Sequence, residues 1–438
     1  MSPVPLTQLE VPDYDLGLRG KLVRSEKLTR SGKAAFCTII YGLDPADGVA
    51  DTPLSSAANG YPDAFAVPDE STRVQLPWRR ATEAVIADMV DDDGALLEES
   101  PRTVLARVVA GFAELGLVPV LGFEYECYVL HADDDVLRRG DYASLRALGR
   151  VDNAYSIGRH TESADLLGEF IDRMDSIGIP VEAAHSELGP GFFEFAMSPM
   201  DAMRAADSAV RARQYFRDLC AERGLVATFM AKLRIEASGS GGHVHQSVTR
   251  DGVNQFSDGA NGLSDTGRAY LGGLVRSMGD YTVLLNPLLN SYKRISAGFF
   301  VAERATWGWD NRNAACRVVH NAGSAATRVE HRRPGADANP YLVAAALLAG
   351  GLEGLRDGLD PGDPLEVGSD IATAGDALPS TLPTAIAAFR GSSRARSMLG
   401  DRFVDCYAAT RDAEVAAFET WWNTSITDWE LRRYVEHL

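Results

Sequence analysis

The chain has 438 residues, 45% hydrophobic and 24% charged, a composition that supports a packed globular protein of more than one domain. Its 43 basic and 61 acidic residues leave a net charge of −18, which argues against a nucleic-acid partner or an anionic membrane surface. Cys37, Cys127, Cys220, Cys316 and Cys406 are scattered without C-x-x-C spacing, as expected of reduced thiols in a cytoplasm, and the longest apolar stretch, Tyr341 to Leu352, is too short to span a bilayer.

Up to about residue 99 the pattern is of short β-segments, Lys21 to Arg24, Phe36 to Tyr41 and Ala64 to Val67, punctuated by Gly, Pro and Asp. Ser100 and Pro101 then form an N-cap and first-turn pair. Val104, Leu105, Val108, Val109, Phe112 and Leu115 recur at helical spacing until Gly116. Further helices are predicted at about 162–177, 202–222, 266–284 and 339–356, alternating with strands. This divides the chain into residues 1–99 and 100–438.

Four of the strand segments carry chemistry. In Gly122 to Leu130, Glu124 and Glu126 share one face and Phe123, Tyr125 and Cys127 the other, and two like charges on one face repel unless a cation lies between them. Glu187 and Glu194 flank a Gly-Pro-Gly turn, and Glu194 stands among phenylalanines, where a carboxylate needs a partner. A glycine-rich approach, Gly239 to Gly242, delivers His243 and His245 at i and i+2, with Ser247 following. Finally Arg328, Glu330 and Arg332 alternate, so that two guanidinium groups flank one carboxylate. Alone, that pattern is also the pattern of a solvated, salt-bridged strand. Together, five carboxylates, an imidazole and nearby arginines suit Mg2+ or Mn2+ and the clamping of a nucleotide's phosphates. Neither G-x-x-x-x-G-K-[ST] nor H-R-D occurs, so the phosphates would be held by metal and arginine.

The E-x-E strand, the E-x-G-P-G-x-x-E turn, the G-x-G-G-H-V-H-Q-S loop, Asn290 to Arg294, Asp310 to Arg312 and R-x-E-x-R…A-N-P-Y-L occur in the order of the glutamine synthetase family, which the chain resembles over roughly residues 120–345. Asp428 to Tyr434 resembles that family's last helix. The resemblance implies an α+β fold, with a small N-terminal β-grasp domain and a large catalytic domain whose curved antiparallel sheet is flanked by helices. It implies that Glu126, Glu187 and Glu194 hold one Mg2+ or Mn2+ and Glu124, His243 and Glu330 a second. His245, Ser247, Arg317 and Arg328 would serve ATP, Arg294, Arg332 and Gly239 would serve glutamate, and Arg312 the transferring phosphoryl group. Asp44 falls where the family keeps an aspartate that reaches ammonium across a subunit interface, although an Asp before Pro is equally well explained by a turn. The implied assembly is a homododecamer of two hexameric rings.

Departures from the pattern point to the second substrate. Phe192 stands for the family's glutamine and Ser238 for its asparagine, and the flap glutamate that deprotonates ammonium falls on Phe300. With Phe299, Trp307 and Trp309, Phe300 makes this segment aromatic, suited to an amine carrying hydrocarbon. The resulting expectation is a glutamate–amine ligase of the γ-glutamylamine branch, acting on an alkylamine, amino alcohol or polyamine. An ammonia-dependent enzyme, in which Glu303 replaces the missing carboxylate, is the alternative. A guanidino phosphotransferase would carry a cysteine loop, which is absent, and a silent homologue would have lost metal ligands.

Overall fold

A computed structural model describes residues 3–15, 17–150, 153–259, 262–296, 300–320, 323–369 and 371–438. The N-terminal strands are β1 (Leu6–Pro12), β2 (Leu18–Arg24), β3 (Ala34–Cys37), β4 (Asp63–Pro68), β5 (Val74–Gln75) and β6 (Thr82–Val90). Nearly every side chain of β6 is buried, as a strand sandwiched on both faces requires. It pairs in parallel with β1, which pairs antiparallel with β2, giving the sheet the mixed pairing expected of a β-grasp. The strand expected over Phe36 to Tyr41 ends at Cys37. Thr38–Tyr41 instead closes a 3-10 turn, anchored by the Thr38 hydroxyl donating to Pro62 O at 2.7 Å.

The helix Pro101–Glu114 begins and ends as its sequence predicts, with Gly116 left-handed at φ +66°, but the Ser100 side chain makes no capping bond. Beyond it lie β7 (Val118–His131), β8 (Val181–Ser186), β9 (Phe192–Met197), β10 (Met200–Asp201), β11 (Leu225–Thr228), β12 (Gly242–Arg250), β13 (Val253–Asn254), β14 (Arg304–Ala305), β15 (Trp307–Trp309), β16 (Cys316–Val319) and β17 (Arg328–His331). Among the described residues the main path of the large sheet runs β15-β16-β17-β12-β7-β9-β8. Helices Ile157–Asp175, Ala202–Glu222, Asp265–Leu285 and Pro340–Asp357 lie close to their predicted spans. The apolar stretch from Tyr341 is buried along its length, a core helix and not a membrane span. No helix among the described residues is long and apolar enough to cross a membrane.

Most buried apolar residues form one cluster from Leu9 through Phe112, Tyr125, Phe195 and Phe216 to Tyr407, and a second, smaller one gathers Tyr128, Leu130, Val136, Leu145 and Phe192. A charged clamp reinforces the larger cluster where the N-terminal sheet meets the helices. The buried Arg102 guanidinium donates to Asp88 and Asp69 at 2.6 Å each and to both oxygens of Asp207 at 3.0 and 3.1 Å, while the Tyr341 hydroxyl donates to Asp207 at 2.7 Å. The five cysteines are free thiols.

Candidate active site

Alternation along β7 buries Phe123, Tyr125 and Cys127 in the core and leaves Glu124 and Glu126 on the other face. Register then assembles the rest of the cluster. β12 sets His243 opposite Glu124, β17 sets Glu330 opposite His245, β9 sets Glu194 opposite Glu126, and β8 sets His185 opposite Glu194. His243 Nδ1 lies 3.0 Å from a Glu124 oxygen and 3.8 Å from a Glu330 oxygen, and the three residues offer ligand atoms within 4.8 Å of one another. These are the residues expected for the second metal. A second group within 4.8 Å comprises Glu187, Glu194 and His185, whose Nε2 lies 3.0 and 3.5 Å from the two carboxylates. Glu126, expected in that group, instead accepts the Gly241 N–H at 2.5 Å, next to Glu194 across the strand pair.

Burial, reinforced by Glu124, Glu126, Glu187 and Glu330, pushes the Glu194 carboxyl up to about 9. For Glu124 burial acts in the same sense but is overcome by hydrogen bonds with His243 and His245, which hold it well below the carboxylate range. Burial is likewise outweighed at Glu330, by Arg332 and the two histidines, and at Glu187, by His185 and the Leu188 N–H. Negative charge so concentrated that one carboxylate is driven to bind a proton, with oxygen and imidazole donors, is a set that a hard divalent cation fits.

Two cavities open on this cluster. The larger, of about 870 Å3, is lined by Glu124, His245, Ser247, Thr249, Asn254 and Arg328. The smaller, of about 480 Å3, has Glu126, Glu187, Gly239, His243, Arg294 and Arg332 on its wall. The 3.0 Å contact of His243 with Glu124 joins them. Of the strand alternation Arg328-Glu330-Arg332, Arg332 does bind Glu330, but Arg328 turns to His245 Nδ1 at 3.0 Å. The second guanidinium on Glu330 is Arg317, from the position directly opposite on β16, which donates at 3.0 Å to Glu330 and at 3.0 Å to Asp310. Arg294 is fully buried. Its Nη atoms donate to the carbonyls of Arg333 and Arg332, and its Nε is left without an acceptor.

The glycine-rich approach works by close contact and not by unusual dihedrals. A β-carbon at Gly241 would stand 2.5 Å from His243 Nε2, one at Gly239 2.6 Å from Arg294 Cγ, and one at Gly242 2.7 Å from Gly335 O. The two departures Phe192 and Ser238 are linked through Tyr128. Its ring stacks on Phe192 with centroids 4.4 Å apart, and its hydroxyl donates to Ser238 O at 3.0 Å.

Of the other expected residues, only Phe300 among those described lines either cavity, although the charge of Arg312 reaches Tyr155. Arg312 is exposed, its carbonyl accepting from Arg332. Asp44 caps its own turn, accepting the N–H groups of Ala46 and Gly48 at 2.7 and 2.8 Å, and does not line either cavity. Phe300 borders the smaller cavity, whereas Trp307 is buried away from it, against Trp309, and donates to Gly362 O. Trp309 packs on His320, so both tryptophans serve packing. Phe299 lies outside the described residues. Glu303 is exposed and does not line the cavity. The residues that sequence reasoning missed are His185 and Tyr155. Tyr155 stacks on His185 at 4.6 Å and donates to Glu187 at 3.1 Å. His185 was findable at i−2 from Glu187, whereas Tyr155 arrives from a loop that carries no pattern.

The family model for the glutamine synthetase catalytic domain matches residues 98–434. A glutamate–isopropylamine ligase of a Pseudomonas species is 35% identical over 98% of this chain and 94% of its own length. A type-1 glutamine synthetase of Dictyostelium discoideum is 31% identical over 100% of this chain and 84% of its own. The apo structure of GmaS superposes with a TM-score of 0.85 at 27% identity, covering 99% of this chain and 97% of that one.

Proposed function

Because the chain belongs to the glutamine synthetase family, whose catalytic domain implies ATP and a divalent metal, we propose that this ligase joins the γ-carboxylate of glutamate to a primary amine. The observation that carries this reading is the convergence of two cavities on one row of carboxylates and histidines. ATP occupies the larger, its phosphates towards His245, Ser247 and Arg328. Glutamate occupies the smaller, its α-carboxylate on Arg294 and Arg332 beside the Gly239 backbone. Glu124, His243 and Glu330 would hold one divalent cation and Glu126, Glu187 and Glu194, with His185, another; when bound, these ions neutralise charge on the transferring phosphoryl group.

A glutamate γ-oxygen attacks the γ-phosphorus of ATP as the bond to ADP breaks, and the product is γ-glutamyl phosphate. Arg312, exposed beside Tyr155, would supply positive charge to the γ-phosphoryl group, and Arg317 orients Glu330 while adding positive charge at the ATP end. The amine nitrogen then attacks the acyl carbon, phosphate leaves, and the nitrogen sheds its proton. A carboxylate alone is a poor electrophile, and phosphorylation supplies the leaving group.

The amine is a primary alkylamine, amino alcohol or polyamine, and ammonium is a poor substrate, since Phe300 stands in place of the flap base. The name of the Pseudomonas relative supports this choice. Similarity to the Dictyostelium enzyme favours ammonia-dependent glutamine synthesis as a second reading. The assembly is a cytoplasmic homododecamer in which Asp44 and the domain of residues 1–99 complete a neighbour's site. Phe418, Trp421, Trp422 and Trp429, exposed on the last two helices, support burial against another subunit. The test is phosphate release by the purified chain with ATP, Mg2+, glutamate and a panel of amines. Release that needs glutamate and responds to alkylamines more than to ammonium is expected; a kcat/KM for ammonium above that of every amine overturns the amine assignment.

A further inference from the structure

Leu188, Ile235 and Phe300 come from three separate segments: the turn between β8 and β9, the loop after β11, and the stretch following helix Leu289–Ser296. Each is a large apolar side chain left roughly half exposed, at 58%, 59% and 49%. All three border the cavity whose inner wall carries Glu126, Glu187, Arg294 and Arg332. Single exposed apolar side chains are ordinary. Three of them meeting at the mouth of one polar cavity make an apolar rim over a charged floor, the arrangement that receives a molecule with a polar head and a hydrocarbon tail.

We propose that Leu188, Ile235 and Phe300 seat the hydrocarbon substituent of the amine, and that Leu188 and Ile235 are specificity-determining residues. The inference rests on the glutamate–amine ligase reading above and deepens it. The rim is held in place. Ser238 Oγ donates to Leu188 O at 2.7 Å, and Tyr128, stacked on Phe192, holds Ser238 from the other side. The two departures from the family pattern thus act together on the position of Leu188. Phe300 is held at φ +59°, a left-handed conformation that a bulky side chain adopts only where its surroundings demand it.

Charge at the rim selects within the amines. Glu236 is the acidic residue there, and Lys232 borders the same cavity, close enough for the two charges to act on each other. A second ammonium group would meet the positive charge of Lys232 there as well as Glu236. The favoured class is therefore a primary monoamine with an uncharged alkyl substituent of several carbons.

The experiment measures kcat/KM for methylamine, propylamine, isopropylamine and putrescine with the full chain, wild type and Ile235→Ala, Leu188→Ala, Ile235→Leu and Ile235→Asp. Each methylene buried at the rim contributes about a fourfold preference, so propylamine exceeds methylamine by roughly tenfold or more in the wild type. The propylamine-to-methylamine ratio falls about fourfold to tenfold in Ile235→Ala and in Leu188→Ala, recovers in Ile235→Leu, and the preference moves towards putrescine in Ile235→Asp. A wild type that uses alkylamines but whose ratio is the same in both alanine variants overturns the rim and leaves the ligase reading standing. A wild type with no amine-dependent phosphate release overturns both.

Discussion

Replacing Arg102 by Met tests how the N-terminal sheet is fastened to the helices that back the active-site sheet. The substitution keeps the length and apolar stem of the side chain but strands Asp69, Asp88 and Asp207, which together accept four hydrogen bonds from the guanidinium at 2.6 to 3.1 Å. Removing one partner of a buried ion pair costs about 3–5 kcal/mol. With unfolding entropy of about 2.1 cal/mol/K per residue, the 438-residue chain carries roughly 0.9 kcal/mol/K, so the expected fall in Tm is about 3–5 °C. The pH dependence has a definite sign. At Asp69 burial alone would raise the pKa, but the Ser71 hydroxyl and Arg102 outweigh it and hold the carboxyl below its ordinary value. That stabilisation is present above the ordinary pKa of about 4 and is lost only as pH falls through the lowered value. Without the cation, three carboxylates stand together with no counter-charge and less opposes the effect of burial on Asp69, so the variant is penalised at neutral pH and relieved on acidification. Scanning calorimetry at pH 8 and pH 5 should show a deficit that shrinks on acidification, and Asp207→Asn added to the variant should recover part of it. A deficit below about 1 °C, or one equal at both pH values, refutes the clamp.

Glu126→Gln is expected to abolish glutamate-dependent phosphate release, by more than roughly 100-fold, while circular dichroism shows the fold intact; full activity would remove Glu126 from the metal site. Phe300→Glu should shift kcat/KM towards ammonium relative to propylamine, and an unchanged ratio would detach Phe300 from amine selection. Light scattering should give a mass near twelve times the 47.2 kDa chain, whereas a fully active monomer would exclude a shared site.

The alternation of Glu124 and Glu126 with aromatic residues on β7 was legible because a period of two has one structural meaning. Helix positions were legible for the same reason at a period of 3.6. The pairing of strands was not. Nothing in the spacing of the chain says that His185 stands opposite Glu194, or that Arg317 stands opposite Glu330 and displaces Arg328 from it. Such neighbours are set by register between distant segments, which depends on the whole core. Trp307 and Trp309 show the converse error, since aromatic residues at i and i+2 serve a pocket or a packing layer equally well, and burial beside Gly362 decided for packing. The sequence of the helix Asp401–Thr424 showed no stripe strong enough to mark it, because much of its apolar surface is outward.

The glycines ahead of His243 bear on how such a protein can change over time. Any side chain at Gly239, Gly241 or Gly242 would put its β-carbon 2.5 to 2.7 Å from His243, Arg294 or the Gly335 carbonyl, so every amino-acid substitution there forces neighbours of the cluster to shift. The segment that borders both cavities is thereby constrained against gradual exploration. Leu188, Ile235 and Phe300 are half exposed at the edge of the smaller cavity, and substitutions there are expected to leave the cluster of carboxylates in place. A lineage adapting to a new amine would therefore accumulate its changes at the mouth of the cavity and keep its floor, and a library built on those three codons samples the variation open to selection.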